Sequence, residues 1–196
     1  MLTDASVVDA PNTLLMNAQG WLLTGLLLIA AVSDYRTRRI PNELVLAGAA
    51  AGLLGNTLFS TLPLDGFVTA LQGLATGLAA FLPLYLLRLM GAGDVKLMAM
   101  VGAFLGLPDI LYAVLATLLA GGLLSIGFLA WKGGLMRSLG NIKNILLGSF
   151  LGAPAGGFAA SLQITPGQSA GSLPYGVAIA GGTLGFLLFR QLGWIG

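Results

Sequence analysis

Apolar runs separated by short polar stretches set the pattern of this chain. They extend from about Leu14 to Ser33, Glu43 to Leu62, Phe67 to Leu89, Val95 to Leu107, Ile110 to Trp131 and Tyr175 to Leu192. Most approach the roughly 20 residues a helix needs to cross hydrocarbon. The pattern predicts an all-α integral membrane protein of about six transmembrane helices. The fourth run is the exception: about 13 residues give ~20 Å of helix, against a hydrocarbon core ~30 Å thick. With its far end pinned by Pro108-Asp109, its near end is expected below the membrane surface. Gly133 to Leu173 is mixed in character and reads as an interfacial amphipathic segment followed by a loop, or as a re-entrant hairpin. It is expected to belong to a single membrane-embedded domain covering residues 1–196.

The polar stretches orient the helices. Met1 to Thr13 carries Asp4 and Asp9 but no Lys or Arg, so the first run does not read as a signal peptide. Directly after that run come Asp34, Arg36, Arg38 and Arg39, then Ile40-Pro41-Asn42, where Pro41 or Asn42 suits the start of the next helix. Arg36, Arg38, Arg39, Arg88, Lys96, Lys132, Arg137 and Lys143 fall on one side, while Arg190 stands alone on the other with Asp4, Asp9, Asp65 and Asp109. By the positive-inside rule the first side is cytoplasmic and both termini are outside. Trp21, Trp131 and Trp194 suit the aromatic belts. Gly48/Gly52 and Gly73/Gly77 have the spacing of helix-packing faces.

Composition then narrows the chemistry. The 196 residues are 57% hydrophobic and only 8% charged, which leaves no soluble domain of useful size once the spans are removed. A net charge of +2, spread over several loops, makes no case for nucleic-acid binding. There is no cysteine and no histidine, so disulfides, thiolate zinc sites, cysteine nucleophiles, Ser-His-Asp triads and H-E-x-x-H sites are all excluded. Hydrolysis, if it occurs, falls to carboxylates or to a Ser-Lys pair.

Two acids stand out. Gly91-Ala92-Gly93-Asp94-Val95-Lys96 lies between apolar runs, where an ionisable side chain is a functional candidate by default. Its glycines permit positive φ, and Asp94 falls where an N-cap belongs. Asp34 ends the first span and Asp94 begins the fourth, so both face the cytoplasmic side. Two carboxyls brought together do not both ionise easily, and such a pair can activate a water and protonate a leaving amine. Asp94 at a helix N-terminus, with Lys96 close in sequence, is expected to start as base. Asp34 at a helix C-terminus is expected to start as acid.

These residues resemble a known family. Asp34…Arg39-Ile40-Pro41-Asn42, the Gly91–Leu97 run and Leu173-Pro174-Tyr175-Gly176 are similar to the prepilin peptidases, the type IV leader peptidase branch of the G-x-G-D intramembrane aspartyl proteases. The resemblance implies the G-x-G-D protease fold, with Asp34 and Asp94 as catalytic aspartates and Gly91 and Gly93 shaping the loop that presents Asp94. Lys96, Arg39, Pro41, Asn42, Pro174, Tyr175 and Gly176 are motif residues without a firm role. It also implies a pilin or pseudopilin precursor as substrate, cut at the cytoplasmic face of a bacterial inner membrane, and brings neither metal nor cofactor. Larger members carry a cytoplasmic insertion with paired Cys-x-x-Cys motifs and methylate the new N-terminus. Here Asp34 follows the first span at once, as in the short type of tight-adherence (Flp) pilus systems, and no residues point to methyl transfer.

Other readings make different demands. An ion- or proton-coupled transporter places its carboxylates near the midplane, often with repeat symmetry, and neither feature is visible. A non-catalytic assembly protein would tolerate alanine at Asp34 and Asp94. A Ser-Lys hydrolase would need Ser33 beside Lys96.

Overall fold

A computed structural model describes residues 10–87, 89–131 and 175–194. The chain divides into two compact units, residues 1–121 with 174–196, and residues 122–173. Of the second unit only the helical start, residues 122–131, is described, so the predicted amphipathic segment and loop at 133–173 lie outside the described residues. The described residues form α1 (Ala10–Thr37), α2 (Asn42–Phe59), α3 (Pro63–Leu86), α4 (Ala92–Leu105), α5 (Asp109–Trp131) and α6 (Tyr175–Gln191), with no strand among them.

Three stretches, Ala18–Thr37, Pro63–Leu86 and Asp109–Phe128, are long and apolar enough to cross a membrane, which makes this a membrane protein. The remaining helices are shorter, at 18 residues in α2, 14 in α4 and 17 in α6. The apolar pattern therefore located the six helices of the described residues, while three of them meet the spanning criterion.

α4 is the packing centre. Leu97, Met98, Met100, Val101 and Ala103 are fully buried, and within this helix only Ala92 and Lys96 are exposed. A helix apolar on nearly every side must be wrapped by others. Small residues make the approach possible. Gly73 of α3 and Gly102 of α4 meet backbone to backbone, and Gly77 lies against the Met98 carbonyl. On α2, a Cβ at Gly52 would fall 2.9 Å from the α4 backbone at Ala103 and Phe104. One turn on, Asn56 donates its amide to the carbonyls of Ala103 (2.8 Å) and Phe104 (3.0 Å). Both expected G-x-x-x-G faces thus serve to seat α4.

Packing falls into two groups. α2, α3 and α4 pack extensively on one another, and α1 pairs with α6. Smaller contacts of α1 with α2 and of α4 with α6 join the groups.

Candidate active site

α1 runs one turn past the predicted end of the first span, so Asp34 stands inside the helix rather than after it. The helix stops where Arg38 adopts φ 52° and its N–H bonds the Asp34 carbonyl at 2.8 Å. Hydroxyls finish the end: Ser33 donates to the Arg39 carbonyl (2.9 Å), and Thr37 donates to the carbonyls of Ser33 (2.8 Å) and Arg39 (3.2 Å). Pro41 then caps α2, which starts at Asn42. The role found for Arg39 is thus its carbonyl, as the acceptor that closes the α1–α2 turn. The Ser33 hydroxyl is engaged in that turn rather than with Lys96.

The start of α4 corrects two expectations. Its N-cap is Gly91, and Asp94 is the third residue of the helix rather than its cap. From there the Asp94 carboxyl reaches back, and Oδ2 accepts the Gly91 N–H at 3.1 Å, the reciprocal half of a capping box. Neither motif glycine has positive φ: Gly91 is extended at φ −80°, and among the described glycines only Gly106 and Gly193 enter the left-handed region. A Cβ at Gly93 would meet Ile40, in the α1–α2 turn, at 3.4 Å, an ordinary packing distance.

Asp34 and Asp94 come together. They are the only buried acids among the described residues, 6% and 8% exposed, and the charge of Asp34 acts on Asp94. The element that holds Asp34 in place is α6. The Gly176 N–H, in the first turn of that helix, donates to Asp34 Oδ2 at 2.7 Å within a buried contact. The side chain of Asp34 is therefore aimed at a helix N-terminus, as Asp94 is. The expected asymmetry rested on Asp34 feeling the negative end of its own helix; Asp34 does stand in the last turn of α1, but it also faces the N-terminal end of α6. Each carboxyl has Oδ2 tied by a backbone N–H donor, Gly176 for Asp34 and Gly91 for Asp94.

Tyr175 is half-buried, edge-on to Phe81 with ring centroids 6.3 Å apart, and its hydroxyl feels the charge of Asp94. Of this pair, Gly176 bonds Asp34, while the Tyr175 hydroxyl lies against Gly121 within range of the charge on Asp94. Pro174 lies outside the described residues. Lys96 turns away from the acids, and its Nζ donates to Asn42 Oδ1 at 3.1 Å, an exposed bond joining α4 to the start of α2. The geometry thus gathers Asp34, Asp94, Gly91, Gly93, Tyr175 and Gly176, and sets Lys96 and Asn42 beside them as an exposed tie.

A family model described as the Type IV leader peptidase family matches residues 21–126, more than half of the chain. The matched region contains both acids, and Tyr175-Gly176 lies beyond it. No curated protein and no solved structure matches the chain.

Proposed function

The chain belongs to the type IV leader peptidase family, and from that premise we propose that it is an aspartic endopeptidase whose catalytic groups are Asp34 and Asp94. The observation that carries this reading is the meeting of two buried carboxyls from different helices, each with one oxygen held by a backbone donor. Holding Oδ2 of each acid leaves the other oxygen of each to share a proton across a bound water. The ionised member takes a proton from that water as it attacks the peptide carbonyl. The protonated member supports the developing oxyanion and then passes a proton to the departing amine. A backbone N–H on one oxygen of each acid suits a pair that exchanges these roles, and such a pair titrates as a unit.

The substrate on this reading is the leader region of a prepilin-like precursor, cut at the cytoplasmic face. The charge distribution supports that side, since Arg36, Arg38 and Arg39 follow directly on Asp34. α2, α4 and α6 are embedded with the three spanning helices, and α4, ~21 Å long at 1.5 Å per residue, starts below the inner surface. A scissile bond reaching Asp94 then enters a recess at the edge of a bacterial inner membrane.

Co-expression with a candidate precursor tests the proposal. Wild type shortens the precursor, while Asp34→Asn and Asp94→Asn leave it at full length with the membrane protein present at normal levels. Processing that survives either substitution sinks the aspartic mechanism.

A further inference from the structure

At the end of the helices away from Asp34 and Asp94 lies a cavity of about 420 Å³. Its polar lining includes Gln19, Asn56, Ser60, Thr61 and Thr69 with Asp109 and Arg190, and Phe104 closes part of its wall. None of these residues takes part in the chemistry above. Gln19 is 15 positions from Asp34 along α1, or ~22 Å of helix.

The polar groups there are unevenly matched. Asn56 spends its amide on the α4 carbonyls. Gln19 Nε2 is buried and has no hydrogen-bond partner among the described residues, although an amide nitrogen carries two N–H donors. Arg190 is ion-paired with Asp109, and that pair engages one terminal nitrogen of the guanidinium and one oxygen of the carboxylate. The rest of the Arg fork, with its five N–H groups, still offers donors, and the second carboxylate oxygen still accepts. The cavity therefore presents donors from Arg190 and Gln19 and a carboxylate a short step away, with no net charge from its two ionised residues.

A zwitterion matches that array, its anionic end on Arg190 and Gln19 and its cationic end on Asp109. Position along the membrane normal selects which zwitterion. Trp21, next to the cavity residue Gly20, and Trp194, four positions beyond Arg190, are 73% and 75% exposed. Trp21 lies near the start of the spanning stretch Ala18–Thr37 and Trp194 just past the end of α6, and exposed tryptophans near the ends of membrane-embedded segments mark the headgroup level of a bilayer. We propose that this cavity binds the headgroup of a zwitterionic phospholipid carrying a primary ammonium. Its phosphate is held by Arg190 and Gln19, and its ammonium by Asp109.

Native mass spectrometry of the full-length protein, titrated in detergent with phosphatidylethanolamine, phosphatidylglycerol or phosphatidylcholine, tests this. Wild type is expected to take one phosphatidylethanolamine at least about tenfold more tightly than either competitor. Gln19→Leu leaves the ion pair in place and is expected to weaken that binding severalfold. Asp109→Asn is expected to erase the preference over phosphatidylglycerol. If the Asp109 variant does not fold, the Gln19 variant and the lipid series still decide. Equal uptake of all three lipids, or unchanged preference in Gln19→Leu, overturns the proposal. Free phosphoethanolamine binding as tightly as the lipid overturns the membrane source of the ligand.

Discussion

Gly176 donates its backbone N–H to Asp34 across 142 positions of chain, at 2.7 Å. The contact has no room for a larger residue, because a Cβ at position 176 would stand 2.8 Å from Asp34 Oδ2 and 3.0 Å from its Cβ. Since Asp34 is fixed by this bond, the geometry of the acid pair depends on a residue that carries no side chain.

Gly176→Ala is therefore expected to push Asp34 out of register. A displacement of about 1 Å at a reacting group costs roughly 100-fold in rate, so precursor processing should fall by about that factor while the helices stay folded. Processing rate and thermal melting measured on the same preparation separate the two effects. Loss of folding with no selective loss of rate contradicts the positioning role.

On the proposed mechanism, replacing either acid removes the machinery rather than displacing it. Asp34→Asn and Asp94→Asn should each lower the rate by at least the 10²–10⁴ typical of general acid–base groups, and the double variant by little more than one alone. In wild type the pH–rate profile should be bell-shaped. Below the lower apparent pKa both carboxyls are protonated and no base remains; above the upper one both are ionised and no acid remains. A rate that rises with pH to a plateau, with no descending limb, argues against a shared proton.

Lys96 offers a contrasting case. Its Nζ bonds Asn42 rather than Asp94, so Lys96→Met should leave both limbs of the profile where they are. An exposed hydrogen bond of this kind contributes about 1 kcal/mol or less. Asn42→Ala should cost the same, and the double variant no more than the larger single one. A shift in either limb on losing Lys96 returns that residue to the chemistry.

The α3–α4 contact at Gly73 and Gly102 is backbone on backbone, with no flexible side chain to give way. Gly73→Val should therefore destabilise the protein by at least about 3 kcal/mol, the upper part of the range for overpacked cores. Gly181→Ala, at a position with open space around it, should be nearly neutral. Denaturant unfolding of the two variants side by side checks the contrast.

Topology is open to a background-free test, because the chain has no cysteine. Arg36→Cys should react with an impermeant thiol reagent only from the cytoplasmic face, and Leu64→Cys, at an exposed position, only from the other. Labelling of both from one side contradicts the proposed orientation.

Much of the fold was legible because lipid demands helices, and helices in lipid leave long apolar runs. Each of the six runs became a helix, with ends displaced by a few residues where local bonding decided. α1 continues to Thr37 because Ser33 and Thr37 hydroxyls and the Arg38 N–H supply its end. Asp94 moved from cap to third position because its carboxyl reaches back to Gly91, an alternative that spacing alone does not distinguish from a side chain at the cap. The two acids were legible as rare charges in apolar surroundings, and the family match covers both. The part played by Gly176 was not, since a backbone donor has no sequence signature. Tyr175-Gly176 could be recognised as a motif only by resemblance, and its physical role needed the position of α6.

The division of packing between α2–α3–α4 and α1–α6 places one acid in each group. Asp94 rides on the first, seated by glycines; Asp34 rides on the second, latched by Gly176. On the proposed mechanism, competence for cleavage is a property of the seam: parting the two halves would separate the acids and stop hydrolysis, with neither acid altered.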